Sequence, residues 1–365
     1  IFINSSTDGQ LDIDADTEIE ITTGTLDINV TTTDISGALD VNGALTASDT
    51  VDIQATHPTG TSNVGFGSGT FANIEAGGNF NTAMGLNALQ DLTTGDSSTA
   101  FGHSAATNST TAIGTTAIGR LAFGAGVLTG NYNTALGYAA GQDLTSGTFN
   151  SFIGYIAGYN ATTADYTIAI GSQAIGLGVT TGDYNIALGR QAGYDLTSGT
   201  HNNFMGFQAG YNVTTGTGNV FSGYQTGQNA TTADFGISIG YSTIGVGVMT
   251  GTDNTAIGRQ AGNDLTSGTY NNFMGYRAGY NATTATNTVA IGTNAIGLGI
   301  HTGDGNVAIG VSAGYDLTSG GKNFFGGYAA GTNATTGDDN VAIGQSALGL
   351  GVLTGDNNVA IGYNA

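Results

Sequence analysis

Asn340-Val341-Ala342-Ile343-Gly344-Gln345-Ser346-Ala347 is the stretch that decides the fold. Val341 and Ile343 alternate with Ala342, the period of a strand whose side chains point to opposite faces. Gly344 then permits a bend or a positive φ. The same tetrapeptide, x-Ala-Ile-Gly or a close variant, returns every 17 or 18 residues. Its closing glycines are Gly67, Gly85, Gly102, Gly119, Gly137, Gly154, Gly171, Gly189, Gly206, Gly223, Gly240, Gly258, Gly275, Gly292, Gly310, Gly327, Gly344 and Gly362. A fixed period this short is one small unit stacked on itself, because a single unit cannot bury an apolar face alone. The expected fold class is all-β, a parallel β-solenoid of 17–18-residue coils.

The spacing has a second layer. Three units make a super-unit of 52 residues. Asp-Leu-Thr-(Ser/Thr)-Gly marks the first unit, at Asp91, Asp143, Asp195, Asp264 and Asp316. Asn-Ala-Thr-Thr marks the second, at Asn160, Asn229, Asn281 and Asn333, and an alternating glycine stretch such as Gly176-Leu177-Gly178 marks the third. The interval from Asp195 to Asp264 is 69 residues, one whole period too long, so a middle-type unit is duplicated there. These markers are turn chemistry, in which Asn and Asp fold back on the backbone. Recurrent Gly, Asn and β-branched residues disfavour helix.

The strand positions divide by size. The residue before each glycine is Ile, Leu, Met or Phe in nearly every unit and is expected inside the coil: Ile170, Leu188, Ile257, Ile291, Ile309, Ile343, Ile361. The residue before that is mostly Ala, but Phe at Phe152, Phe204, Phe221, Phe273 and Phe325. A second apolar face needs cover, so these phenylalanines are expected along a seam with other copies of the chain. Ala stands three residues past the glycine in 15 of 18 units, which implies close backbone approach there.

Composition narrows the function. Charged residues are 8 % of the chain, far below the roughly 25 % of ordinary globular domains. The net charge is −21, and the bases Arg120, Arg190, Arg259, Arg277 and Lys322 read as scattered, so no basic patch for nucleic acid is expected. Cysteine is absent, which excludes a disulfide framework and a thiolate metal site. No run of 18 apolar residues suggests a membrane span. His57, His103, His201 and His301 sit at unrelated depths of the repeat, and no Ser/His/Asp set follows from their spacing. Glu18, Glu20 and Glu75 are the only glutamates, which leaves little for the paired carboxylates of a polysaccharide-cleaving enzyme. The chain is expected not to be an enzyme and to use no cofactor. The acids Asp12, Asp14, Asp16, Glu18 and Glu20 alternate onto one solvated face without a cation-loop pattern, so no metal site is assigned. Asn-Ala-Thr at Asn160, Asn229, Asn281 and Asn333 fits a glycosylation acceptor, and it fits a repeated turn better. Tyrosines recur beside glycines. Tyr159, Tyr211 and Tyr280 are candidate glycan contacts, against the plainer reading of rings packed along a rod.

Residues 1–60 differ. Leu11-Asp12-Ile13-Asp14-Ala15 and Leu26-Asp27-Ile28-Asn29-Val30 alternate with period two, and Pro58 marks the join with the repeat at 61–365. An N-terminal intertwined β shaft or connector is expected. The chain begins at Ile1 and stops inside a motif at Ala365, as a fragment of a longer protein would.

Asn340–Gly344 and Asn306–Gly310 closely resemble the head repeat of trimeric autotransporter adhesins, the YadA-like heads, and the resemblance covers roughly residues 63–365. It implies a left-handed parallel β-roll in a homotrimer. The adhesin repeat is shorter, so the loops here are longer. With longer loops and a preceding segment such as Leu39–Gly43, the chain is also similar to bacteriophage tail fibres, especially marine ones. The fibre resemblance implies a virion spacer, with partners among other copies of itself, other tail proteins and a host-surface glycan or receptor beyond this stretch. The adhesin resemblance implies attachment from a bacterial cell surface. The repeat alone separates neither; residues 1–60 favour the fibre.

Overall fold

A computed structural model describes residues 2–5, 11–14, 62–349 and 351–365. The chain forms two compact units, Ile1–Asp52 and Ile53–Ala365. In the first, β1 (Phe2–Ser5) pairs antiparallel with β2 (Leu11–Asp14). The expected shaft, and the acids Asp16, Glu18 and Glu20, otherwise lie outside the described residues.

The second unit is a parallel β-solenoid. Eighteen short strands, β3 (Val64–Phe66) through β20 (Val359–Ile361), each pair in parallel with the next. The register is in step with the sequence period: Ile186, Ala187 and Leu188 lie opposite Asn203, Phe204 and Met205. No helix occurs among the described residues. Seventeen steps at about 4.8 Å, the spacing of hydrogen-bonded strands, give a column roughly 80 Å long.

The repeat glycine is fixed by its conformation and by its neighbour. Gly189 has φ +136, and a Cβ there would lie 2.5 Å from the carbonyl oxygen of Gly206 in the next coil. An L-residue meets strain and a backbone collision together.

Interior packing inverts the faces expected from side-chain size. The middle residue of the strand is the one inside the coil. Ala135, Ala187, Ala256 and Ala342 are fully buried, and so are Phe152, Phe204, Phe221, Phe273 and Phe325, within a single chain. These phenylalanines therefore do not line a seam between copies. The residue before the glycine points outward: Ile170 is 39 % exposed, Ile291 37 %, Ile309 43 %, Ile343 40 % and Ile361 67 %, with Leu188 and Ile257 half-buried. The reason is the width of the coil. The interior must also hold the alanine three residues past the glycine and the leucine of the Asp-Leu-Thr turn, such as Ala192 and Leu196, both fully buried. Large strand residues fit only where space is left opposite them. Phe152 and Phe204 are followed six residues later by Gly158 and Gly210, where a Cβ would meet the phenylalanine ring at 2.4 and 2.6 Å. In two units with Ala at mid-strand the space is taken by Ile175 after Ala169 and Ile296 after Ala290, whereas Gly193 after Ala187 and Gly262 after Ala256 leave room for Phe204 and Phe273 of the next coil.

A buried polar ladder runs beside this core. In Asn202, Nδ2 donates to the Gly216 carbonyl at 2.7 Å, and Oδ1 accepts from the Asn219 backbone N–H at 3.0 Å. Asn133, Asn150, Asn185, Asn271, Asn306, Asn323 and Asn340 repeat the pattern, each donating to a glycine or alanine carbonyl one coil on. Each amide thus satisfies backbone groups that a coil corner would otherwise leave bare.

Candidate functional site

Parallel stacking turns each position of the repeat into a column, so a candidate site here is a column or a break in one. The column immediately after the repeat glycine is the most distinctive. It runs Arg120, Tyr138, Tyr155, Ser172, Arg190, Phe207, Tyr224, Tyr241, Arg259, Tyr276 over successive coils. Rings one strand spacing apart stack. The centroids of Tyr138 and Tyr155 are 5.5 Å apart, of Phe207 and Tyr224 5.1 Å, and of Tyr224 and Tyr241 5.0 Å. Arginines close the stacks. Arg120 lies over Tyr138 at 5.7 Å, Arg190 over Phe207 at 5.7 Å and Arg259 over Tyr241 at 5.6 Å. Arg277, one residue further along its coil, lies over Tyr276 at 5.3 Å and Tyr280 at 4.9 Å.

The arginines therefore are not scattered. Arg120, Arg190 and Arg259 share one column at intervals of four coils, roughly 19 Å. None of the four arginines has a carboxylate within ion-pairing distance among the described residues. The signal was in the sequence: each of the three directly follows a repeat glycine. A column of glutamines runs alongside. Gln191 donates to Gln173 at 3.1 Å, Gln208 to Gln191 at 3.0 Å and Gln225 to Gln208 at 2.8 Å. Arg277 Nε donates to Gln260 at 2.9 Å in the same column.

A second aromatic column precedes the asparagine ladder. Tyr132, Phe149, Tyr166, Tyr184 and His201 stack at 4.9–5.1 Å. Their rings cover one another's faces and present edges outward, so only the ends of the stack offer a face to a flat ligand.

The tyrosines named as glycan contacts do not form one site. Tyr211 stacks on Tyr194 at 4.8 Å, Tyr280 lies beneath Arg277, and Tyr159 is half-buried on a different coil. Of the histidines, His57 lies outside the described residues. His103 and His201 are exposed on separate coils, and His301 is buried in the interior. His301 Nδ1 lies 3.2 Å from the Thr318 carbonyl oxygen, which can only accept, so this nitrogen carries the proton. Nε2 is buried without a hydrogen-bond partner. Burial holds the imidazole down at about 4, against smaller opposing effects of the Thr318 hydrogen bond and the Asp304 charge. Burial pushes the carboxyls of Asp143, Asp195 and Asp264 up.

Among the described residues no three or more His, Cys, Asp or Glu side chains gather where they could hold a metal ion, and no helix is long and apolar enough to cross a membrane. The Asn-Ala-Thr asparagines are engaged. Asn160 donates to the Leu177 carbonyl at 2.7 Å and Asn281 to Leu298 at 2.6 Å, tying the turn of one coil to the next.

The outer face of the strands is apolar along much of the column. Met84, Phe101, Ile118, Leu136, Ile239 and Met274 are exposed between 36 and 53 % at the position before the glycine. Parallel pairing sets Met84, Phe101, Ile118 and Leu136 side by side on successive coils. No protein-family model matches the chain, and no curated protein does.

Proposed function

We propose that this chain is the rod section of a bacteriophage tail fibre, a homotrimeric spacer between the virion and the part of the fibre that recognises the host. The observation that carries the reading is the unbroken ladder of 18 parallel strands: one geometry repeated coil after coil suits holding a distance. The Asn-x-Ala-Ile-Gly resemblance supplies the fibre and the trimer. The exposed column at Ile170, Ile309 and Ile343 is the surface that trimerisation would cover, in place of the phenylalanines. The rod is left-handed on this reading and has no catalytic role. Antibodies raised against residues 62–365 test it. Labelling of tails on released virus particles supports the fibre, whereas labelling confined to the surface of bacterial cells overturns it. Native mass measurement tests the trimer.

A further inference from the structure

The column after the repeat glycine is broken at Ser172, and the break has a shape. On one side stands Tyr155, 56 % exposed, with one ring face on Tyr138 and the other turned towards the gap. On the other side stands Arg190, whose guanidinium leans on Phe207 at 5.7 Å and leaves its opposite face to the gap. Tyr155 and Phe207 are three strand spacings apart, about 14 Å. After the Arg190–Phe207 stack, about 9 Å remains, room for one ring with van der Waals contact on both sides. The floor is polar: the half-buried Ser172 hydroxyl and the Gln191–Gln173 amide pair.

We propose that this notch binds an acidic sugar of a linear glycan, with the pyranose on the face of Tyr155 and its carboxylate on Arg190. An aromatic face takes the C–H side of a sugar, and the serine and amide floor can bond its hydroxyls. Arginine stacked on an aromatic ring keeps its edge N–H donors free for a carboxylate. Arg190 has no acidic partner among the described residues, so it is charged and uncompensated on a chain of net charge −21. That net charge also limits the ligand. Fields are screened beyond about 8 Å at physiological salt, so a single carboxylate feels Arg190 locally, while a dense polyanion brings many charges against the acidic rod. This favours a sparsely charged glycan over nucleic acid. The proposal goes beyond the spacer reading and does not depend on it.

The test uses the assembled chain 1–365 and a galactose trisaccharide with one galacturonate unit, with the all-neutral trisaccharide of galactose and adenosine monophosphate as controls, followed by NMR. The expected dissociation constant is on the order of 1 mM, the scale for one well-seated sugar. Arg190→Gln should weaken it about tenfold or more, the loss of a charge-assisted contact. Ser172→Tyr fills the gap with the ring that neighbouring coils carry, so it should preserve folding and abolish binding. Added salt should weaken the wild type and leave the residual affinity of Arg190→Gln nearly unchanged. Equal binding of the neutral trisaccharide, equal binding of adenosine monophosphate, full binding by a folded Ser172→Tyr variant, or no binding of the singly charged trisaccharide would each overturn the proposal.

Discussion

Replacing His301 by leucine should make the solenoid more tolerant of acid. His301 occupies an interior position that other super-units fill differently: it bridges to Ala282 as Thr180 does to Ala161, Met249 to Ala230 and Leu353 to Ala334. Leucine is thus a native solution to the same space. The histidine is held neutral, its folded value lowered to about 4 against 6.5 when unfolded. Between those values the unfolded chain binds the extra proton and the folded chain does not. Its contribution is therefore fully present above about pH 6.5, is lost as pH falls, and is gone below about 4. The whole window is worth about 3 kcal/mol per chain, most of it already lost at pH 4.5. The raised carboxyls of Asp143, Asp195 and Asp264 act in the opposite direction, contributing stability at low pH that fades as pH rises through their range. They are common to both proteins and cancel in the difference. Urea unfolding of wild type and His301→Leu at pH 7 and 4.5 measures that difference, and an NMR titration of the imidazole ring gives the folded value directly. The leucine variant should gain about 2–3 kcal/mol on the wild type between the two pH values. If the gap between the proteins does not change with pH, or the ring titrates near 6.5 in the folded chain, the reasoning fails.

Other outcomes follow from the same geometry. Gly189→Ala should destabilise by at least about 2 kcal/mol in thermal unfolding, since it combines a positive φ with a collision against Gly206. Asn202→Ala should cost about 3 kcal/mol by stranding the Gly216 carbonyl and the Asn219 N–H, and Asn202→Thr less, because Thr167 and Thr288 hold the equivalent place. Phe204→Asp should prevent folding of its coils in any oligomeric state, whereas Ile309→Asp should leave strand content unchanged by circular dichroism and yield monomers in native mass measurement. A folded Ile309→Asp trimer would remove the outward isoleucines from the proposed association face. Deleting residues 136–187 joins Ala135 to Leu188 in register and should leave a soluble, shorter solenoid, while deleting half a unit should aggregate.

The period, the strands and the turns were legible because each is a local signal: alternation at Val341–Ile343, glycine at a left-handed bend, Asp and Asn at corners. Which face turned inward was not, because both faces are apolar and side-chain size points the wrong way. Ile343 is larger than Ala342, yet the alanine is inside. The deciding clue is the glycines on either side of each large residue: Gly141 and Gly158 at Phe152, Gly193 and Gly210 at Phe204, Gly262 and Gly279 at Phe273. Large residues matched to missing side chains in their own coil and the one before share one cavity with them. The arginine column was equally present in the spelling, Gly119-Arg120, Gly189-Arg190 and Gly258-Arg259, but its stacking on aromatic rings appears only once coils are superposed. The notch at Ser172 is a break in a column, and no single repeat displays it.

The duplicated middle unit at Asn212 and Asn229 has a consequence for inheritance. Its two phenylalanines, Phe204 and Phe221, stack at 5.5 Å, each beside its own glycine, Gly210 or Gly227. The interior thus holds two phenylalanine coils in succession, with Thr226, Ser238 and Thr243 at buried positions beside and just after them. Recombination between near-identical repeats can then lengthen or shorten such a gene one coil at a time. Each event changes the reach of the product by about 5 Å and leaves both ends untouched. Length becomes a quantity that selection can adjust in small, reversible steps, independently of whatever the ends of the protein recognise.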